Sequence, residues 1–271
     1  MDVSHRTGML KRTALSGFLS LFNLFFLNST LAAPAASEEL VAGFRAGCVT
    51  NTGIIMPYRY FVPDDYNPNQ KYPIVVYLHG RGGVGTDNLK HIIKAGKPHI
   101  QPTVFTTYQK GRPDYKCIVL APQSNGLWTK QKLEVLYTLI DDVFGKNYSI
   151  DMTRKYLTGN SGGAAGAYIS LFSEPQYWTA AVITAGRAPA SNKKEAMVVQ
   201  HLPLWSFHGA NDHPERDKLV YSFLAPPFGN MKFTEIAEGN HNSARKYAFN
   251  DLFFPELADW LFAQKKAFAA E

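Results

Sequence analysis

Short runs of apolar and β-branched residues recur along this chain and alternate with segments of helical character. Several of the runs are apolar without interruption, which is typical of strands that are covered on both faces. The segments KQKLEVLYTLIDDVFG (130–145) and LFFPELADWLFAQKKAF (252–268) have the apolar spacing of helices. This alternation predicts an α/β fold with a mostly parallel central sheet and helices on both faces. The strand-like runs are MPYRYFVP (56–63), YPIVVYLHG (72–80), KCIVLAPQ (116–123), KYLTG (155–159), TAAVITAG (179–186), LPLWSFHG (202–209) and MKFTEIAEG (231–239).

The first 35 residues have the composition of a secretory signal peptide. Arg6, Lys11 and Arg12 precede the apolar run ALSGFLSLFNLFFL, and small residues follow it in NSTLAAPAAS. We predict cleavage after Ala35, and therefore a secreted or periplasmic protein without a stable membrane anchor. An uncleaved anchor is the alternative, which the shortness of the apolar run disfavours.

The remaining residues, 36–271, have the composition of one globular domain. The whole chain has 271 residues, of which 45% are hydrophobic and 18% charged, which is enough apolar content for a sizeable core. Removing Arg6, Lys11, Arg12 and Asp2 from the net charge of +6 leaves +4. The basic residues are scattered and are not interleaved with aromatic ones, so we expect no nucleic-acid partner.

Two cysteines, Cys48 and Cys117, both lie in segments of strand character. An oxidising compartment would permit a disulfide between them. Their pairing depends on the order of the strands, so a disulfide and two buried free thiols both remain open.

The stretch LTGNSGGAAG (157–166) places one serine among glycines, directly after a strand-like run and before a helix-like one. This context turns G-x-S-x-G into a nucleophile elbow, a turn so tight that its flanking positions require glycine. The N-terminus of the following helix would stabilise negative charge near the Ser161 hydroxyl. The alternative is a serine that merely caps a helix rich in Gly and Ala.

A serine nucleophile needs a histidine to remove its proton and an acid to orient that histidine. His241 follows the last strand-like run in a loop that opens a helix, which makes it the predicted base, with His213 as the second candidate. Asp212 lies four residues beyond His208 at the end of the preceding run, which makes it the predicted acid, although it could instead cap the next helix. We interpret His201 and His208 as structural.

The loop YLHGRGGVGTDN (77–88) follows an early strand and can supply a second N–H to an oxyanion hole, from Arg81 or Gly82, beside that of Gly162. Within it, GRGGVG also fits the glycine pattern of dinucleotide-binding loops. The acidic residue that such a site needs about 20 positions further on is missing, so this alternative is disfavoured.

With these features, the chain resembles the α/β-hydrolase superfamily, and within it the secreted esterases and predicted peptidases related to polyhydroxybutyrate depolymerases and feruloyl esterases. The resemblance extends over most of residues 56–265. It implies Ser161 as nucleophile, Asp212 as acid, His241 as base, Arg81 and Gly162 as oxyanion donors and Trp128 as a wall of the substrate pocket. Asn160 before the serine and the bulky Arg81 depart from the family pattern. The matching blocks are PIVVYLHGRGGVGTDN, CIVLAPQSNGLW, KYLTGNSGGAAGAY, LPLWSFHGANDHP and EGNHNS.

We therefore predict a secreted serine hydrolase of the α/β-hydrolase fold, without a large cap domain, that cleaves small or polymeric carboxylic esters through an acyl-enzyme. No metal or organic cofactor is expected, because neither Cys-x-x-Cys nor His-Glu-x-x-His occurs. A serine peptidase with the same triad is the nearest alternative, since only the leaving group differs. A non-catalytic binding protein on a hydrolase scaffold is a further alternative, which predicts a displaced or missing triad member.

Overall fold

A computed structural model of the protein describes residues 40–250 and 256–267. The predicted signal peptide, residues 1–35, lies outside these described residues. The strands of the described part are β1 (Arg45–Asn51), β2 (Ile54–Phe61), β3 (Tyr72–Leu78), β4 (Ile93–Lys94), β5 (Lys97–Pro98), β6 (Ile118–Pro122), β7 (Ile150–Asn160), β8 (Ala180–Thr184), β9 (Leu204–Gly209) and β10 (Met231–Ile236).

In this part of the chain, eight strands form one sheet in the order β1-β2-β6-β3-β7-β8-β9-β10, and β4 pairs with β5 in a separate hairpin. Every neighbouring pair from β6 to β10 is parallel, whereas β2 runs antiparallel to both β1 and β6. The strand order reverses direction at β3, which lies between β6 and β7. Such a reversal opens a crevice at the carboxyl ends of the strands, where ligands bind in open α/β sheets.

Helices cover both faces of the sheet. The second helix continues through a π-helical stretch, Leu139–Phe144, into a final short turn. No helix within residues 40–250 and 256–267 is long and apolar enough to cross a membrane. The helices are α1 (Ile100–Tyr108), α2 (Lys130–Thr138), α3 (Gly145–Asn147), α4 (Gly162–Ser173), α5 (Lys193–Ala196), α6 (Glu215–Leu224), α7 (Ser243–Ala248) and α8 (Glu256–Phe262).

The period-two alternation of the strands divides the core into two layers. On β3, Ile74 and Leu78 pack into one layer together with α2, α4 and α6. Val75 and Tyr77, on the opposite face of the same strand, pack with α1, α7 and α8. All of β3 is buried, which explains why its sequence is apolar without interruption.

The predicted fold class is confirmed, and each of the predicted strand-like runs contributes a strand to the sheet. The segment after β8 holds only the four-residue α5 and a short 3-10 turn before β9, so no large cap domain covers the carboxyl ends there. Strand β1 is not one of the seven apolar runs, although strand character was predicted for the segment around Cys48 that it contains. It lies at the edge of the sheet, where most of its residues stay partly exposed, so its sequence lacks an apolar run.

The two cysteines are free thiols in the structure. Cys48 lies on β1 and Cys117 directly precedes β6, and β2 runs between these two strands. Strands two positions apart are separated by about 9.5 Å, beyond the reach of a disulfide. The sequence left open a disulfide or two buried free thiols. The structure has two free thiols, of which only Cys117 is buried.

Candidate active site

Ser161 lies in a tight turn between β7 and α4. Its backbone has a φ of 57° and a ψ of −116°. A positive φ is costly for a residue with a side chain, and such strain persists only where the surrounding structure enforces it. The strained turn projects the hydroxyl from the carboxyl end of the sheet, as a nucleophile elbow does.

Two glycines beside Ser161 allow α4 to lie directly against β7 and β3. A Cβ on Gly159 would lie 2.4 Å from the carbonyl oxygen of Gly163, and a Cβ on Gly163 would lie 1.8 Å from the carbonyl oxygen of Leu78. Both contacts are with backbone atoms, which cannot rotate away. Packing therefore requires glycine at these two positions, and this packing enforces the strain at Ser161.

His241 connects Ser161 to Asp212. The Ser161 hydroxyl lies 2.8 Å from Nε2 of His241, and Nδ1 of His241 lies 2.7 Å from Oδ2 of Asp212. Because the carboxylate only accepts hydrogen bonds, Nδ1 carries the proton and Nε2 is free to accept from the serine. The structure thus brings the three predicted residues together in the order that proton removal from Ser161 needs.

Close packing of the loops after β9 and β10 holds Asp212 and His241 together. A Cβ on Gly209 would lie 2.4 Å from the carbonyl oxygen of Gly239. The Asn211 amide donates a hydrogen bond to the same carbonyl oxygen, at 2.8 Å. Since β9 and β10 are adjacent parallel strands, the loops at their carboxyl ends place Asp212 and His241 at the same edge of the sheet.

A buried pair, His208 and Asp217, lies behind Asp212. His208 is 1% exposed, and its Nε2 lies 2.8 Å from the backbone oxygen and 3.3 Å from Oδ2 of Asp212. Its Nδ1 lies 3.3 Å from Oδ2 of Asp217. Asp217 is fully buried and also accepts from the Ser206 hydroxyl at 2.7 Å and from the Ala188 amide at 2.8 Å.

Both ring nitrogens of His208 face acceptors, which favours the doubly protonated imidazolium. Burial acts to lower the pKa of His208, but the hydrogen bonds to Asp217 and Asp212 and their negative charges outweigh it, so that the pKa is raised. A cationic His208 thus holds Oδ2 of Asp212, the same oxygen that accepts the hydrogen bond from His241. His208 is therefore structural, as predicted, and Asp217 is its counter-ion.

The loop after β3 lies against the serine turn. A Cβ on Gly80 would lie 2.9 Å from the carbonyl oxygen of Asn160, so glycine is needed for this approach. The backbone nitrogen of Arg81 lies 3.6 Å from the position that a Cβ would take on Gly162. The predicted oxyanion donors, the Arg81 and Gly162 amides, are thus adjacent beside Ser161.

His79 and Trp128 hold this loop in place through hydrogen bonds to its backbone. The Ser124 amide donates to Nε2 of His79 at 2.9 Å, so Nδ1 carries the proton and donates to the Gly80 carbonyl at 2.8 Å. Burial lowers the pKa of His79 to about 4, which keeps the ring neutral. Nε1 of Trp128 donates to the His79 carbonyl at 3.0 Å.

Ser161 opens into a cavity of about 780 Å³. Trp128 lines it as predicted but is only 4% exposed, so its main contacts are with the loop and with α4. Leu127 lies on the same wall and is 78% exposed, which offers an apolar surface to a ligand. Arg81, Lys94, Arg187 and Arg245 also line the cavity. The sequence did not identify the last three as site residues, because they lie on a short hairpin strand, a loop and a helix that are far apart in the chain.

The other histidines downstream of Ser161 lie elsewhere. His213, the second candidate for the base, lines a neighbouring pocket with Arg187 and Glu215, and the structure places His241 against the serine instead. His201 is exposed and bonds to the carbonyl oxygen of Pro175 at 2.9 Å. Within the described residues, no group of three or more His, Cys, Asp or Glu side chains could hold a metal ion.

Solved structures similar to this chain are hydrolases. A thermostable esterase is 30% identical with a TM-score of 0.70, over 83% of this chain and 64% of that chain. A mutant of the feruloyl esterase module from Clostridium thermocellum, complexed with sinapinate, is 14% identical with a TM-score of 0.62, over 86% of this chain and 93% of that chain. The match to the thermostable esterase thus spans less than two thirds of that protein's length.

A Bacteroides ovatus protein assigned as a dipeptidyl aminopeptidase IV is 14% identical with a TM-score of 0.56, over 80% of this chain and 34% of that chain. No protein-family model and no curated protein matches the chain. At identities near 14%, the likeness concerns the fold alone.

Proposed function

We propose that this chain, which has the α/β-hydrolase fold, is a serine hydrolase that cleaves carboxylic esters through an acyl-enzyme. The observation that carries this proposal is the continuous hydrogen-bond chain from the strained Ser161 through His241 to Asp212. A binding protein that had lost catalysis would have no need to maintain this chain together with the strain at the serine.

In the proposed reaction, the Ser161 oxygen attacks the ester carbonyl while Nε2 of His241 takes the hydroxyl proton. Asp212 holds the imidazole in the correct tautomer and stabilises the imidazolium. The negative charge on the tetrahedral oxygen develops beside the Arg81 and Gly162 amides and the N-terminus of α4, whose dipole favours it.

His241 then donates its proton to the leaving alcohol, which leaves an acyl group on Ser161. Water, deprotonated by the same histidine, attacks the acyl carbonyl and releases the acid. Each cycle consumes one water and restores both the serine hydroxyl and the neutral imidazole.

We favour esters over peptides because the solved structure with the highest identity among those described is an esterase. The same acyl chemistry would serve a peptidase, and the similarity to the Bacteroides ovatus protein keeps that alternative open. Comparing matched ester and amide substrates separates the two, since a peptidase retains activity on amides of a preferred acyl group.

Fluorophosphonate labelling of the mature domain tests the proposal. We expect wild-type protein to be labelled, and Ser161→Ala to lose both the label and at least about ten-thousand-fold in kcat on nitrophenyl esters. Ser222→Ala, at an exposed serine on α6, is the matched control and should label normally. A folded wild-type domain that takes no label would exclude the proposed mechanism.

We also propose that the protein is exported, on the basis of the sequence of its first 35 residues. N-terminal sequencing of the protein recovered from culture medium or periplasm should begin at Ala36. Recovery of the intact N-terminus in a membrane fraction would instead indicate an uncleaved anchor.

A further inference from the structure

The cavity at Ser161 is positively charged along its wall. Arg81, Lys94, Arg187 and Arg245 line it, and no Asp or Glu is found among its lining residues in the described part of the chain. Nor does any of the four basic side chains form an ion pair within residues 40–250 and 256–267, in contrast to basic residues elsewhere such as Arg154, which pairs with Asp151. The cavity therefore concentrates positive charge without compensation.

One end of the cavity brings three basic groups from three different elements together. Lys94 is on β4, His99 directly precedes α1, and Arg245 is on α7, four residues after His241. Nζ of Lys94 reaches to 4.0 Å from the position that a Cβ would take on Gly82, in the oxyanion loop. All three residues line this cavity, and burial, followed by the positive charges of Arg245 and Lys94, lowers the pKa of His99.

Two nitrogens of this cluster are buried without a partner. Nε2 of His99 and Nε of Arg245 are closed off from solvent and have no hydrogen-bond partner in the described structure. Buried polar atoms almost always find partners, because leaving one unsatisfied is costly. Burial and the charges of Arg245 and Lys94 also disfavour the protonated form of His99, which is a second cost of placing the three groups around one cavity.

An anion bound between these groups would remove both costs. A carboxylate accepts several hydrogen bonds, matches the planar fork of arginine and stabilises the charged form of a neighbouring histidine. A cavity of about 780 Å³ has room for such a group in addition to the ester held at Ser161.

We propose that the substrate is an ester that also carries a carboxylate, on its acyl or its alcohol half, and that Lys94, His99 and Arg245 bind that carboxylate. This inference rests on the proposed esterase function and specifies its substrate class. The carboxylate is not altered in the reaction: hydrolysis adds one water to the ester and releases an alcohol and an acid. The exposed Leu127 on the same cavity wall is available to the apolar part of the substrate.

Two pairs of substrates test the proposal and distinguish the two positions of the charge. For the acyl half, 4-nitrophenyl hydrogen adipate is compared with its terminal amide. For the alcohol half, 4-acetoxybenzoate is compared with 4-acetoxybenzamide. Within each pair the carboxylate and the amide are similar in size. Dividing each kcat/KM by the rate of uncatalysed hydrolysis of the same ester corrects for intrinsic reactivity, so the corrected ratio within a pair reports binding of the charge.

We expect the anionic member of at least one pair to be preferred about tenfold or more, as a charge-assisted hydrogen bond is worth at least that factor. Rising ionic strength should reduce the preference. Lys94→Gln and Arg245→Gln should each reduce it about tenfold. Lys97→Gln on β5 and Lys246→Gln on α7 remove the same charge from the same hairpin and helix without lining the cavity, and should leave the ratio unchanged.

The outcomes separate this inference from the function on which it rests. If Ser161-dependent hydrolysis occurs with equal kcat/KM on both members of each pair, the carboxylate site is refuted and the esterase function stands. If Lys97→Gln and Lys246→Gln lower the ratio as much as the cavity variants, general surface charge explains the preference and the site is likewise refuted. If the folded protein hydrolyses no ester at all, the proposed function fails, and the inference fails with it.

Discussion

At the scale of single residues, His208 and Asp217 extend the hydrogen-bond chain of the site into the core. Asp217 is fully buried and holds His208 at 3.3 Å, and His208 in turn contacts the carboxylate of Asp212. Neither residue reaches the cavity at Ser161. We therefore regard both as positioning residues, which act on the reaction only through Asp212.

Asp217→Asn tests this role because it keeps the shape of the side chain but removes its charge. The buried His208 imidazolium would then keep only Asp212 as its counter-ion, so we expect the free energy of unfolding to fall by about 3 kcal/mol. We expect kcat to fall about tenfold while KM changes less than about twofold, since orientation of Asp212 matters to the transition state more than to substrate binding. Urea titration and steady-state kinetics measure the two effects.

Asp114→Asn provides the control for that variant. Asp114 is an exposed carboxylate, and its loss should change stability by less than about 0.5 kcal/mol. If Asp217→Asn loses stability but retains the wild-type kcat at a temperature where it is folded, the pair is a packing feature only.

The two cysteines differ in exposure, and this difference is directly measurable. Cys48 is exposed, whereas Cys117 is fully buried and its burial raises the pKa of its thiol. Because the thiolate is the reactive form, we expect a thiol reagent to modify Cys48 in the native protein and Cys117 only after unfolding. Mass measurement after alkylation without reductant counts the modified thiols. An unfolded, unreduced protein that takes up no reagent would mean that the two cysteines form a disulfide.

At the scale of elements, the site depends on how closely α4 packs against β7 and β3. The glycines of the serine turn are not equivalent in this respect. A Cβ on Gly163 would lie 1.8 Å from a carbonyl oxygen of β3, whereas one on Gly162 would meet nothing closer than the Arg81 nitrogen at 3.6 Å. The packing of Gly163 thus constrains the turn more than the packing of Gly162 does.

Gly163→Ala is therefore expected to lower the free energy of unfolding by at least about 3 kcal/mol, or to prevent folding, because two backbone segments must separate. Gly162→Ala should remain folded, with a loss of about 1 kcal/mol or less. Gly126→Ala, whose Cβ would have 3.5 Å to the flexible end of Lys132, is the control outside the turn. Equal stability of the two elbow variants, measured by thermal and urea unfolding, would contradict this account.

At the scale of the whole molecule, buried histidines set how stability depends on pH. Burial lowers the pKa of His79 to about 4 and that of His91 to about 3, from ordinary values of 6.5. Between those values the unfolded chain binds protons that the folded chain does not, so acidification favours unfolding. His208 opposes this trend, because its raised pKa contributes stability below pH 6.5 that is lost as pH rises through its folded pKa.

We expect the free energy of unfolding to fall as pH is lowered from 7 to 5, by up to about 1.4 kcal/mol per pH unit for each histidine kept neutral. Urea titrations across this range measure the slope. His91→Gln should make the slope shallower, whereas His201→Gln, at an exposed position, should leave it unchanged. Stability that is constant or rises toward pH 5 would contradict the neutral state of His79 and His91.

The sequence by itself determined the α/β-hydrolase fold and the residues that meet at the candidate site. Uninterrupted apolar runs, the glycines around Ser161, and the positions of Asp212 and His241 after successive strands all reflect local geometry, which short segments encode. Tertiary structure alone decided the rest. Cys48 and Cys117 are separated because β2 lies between their strands. Asp217 contacts His208 because α6 packs on the sheet. Lys94, His99 and Arg245 line one cavity although they come from three distant elements. Contacts of this kind depend on strand order and helix placement, and no local sequence pattern predicts them.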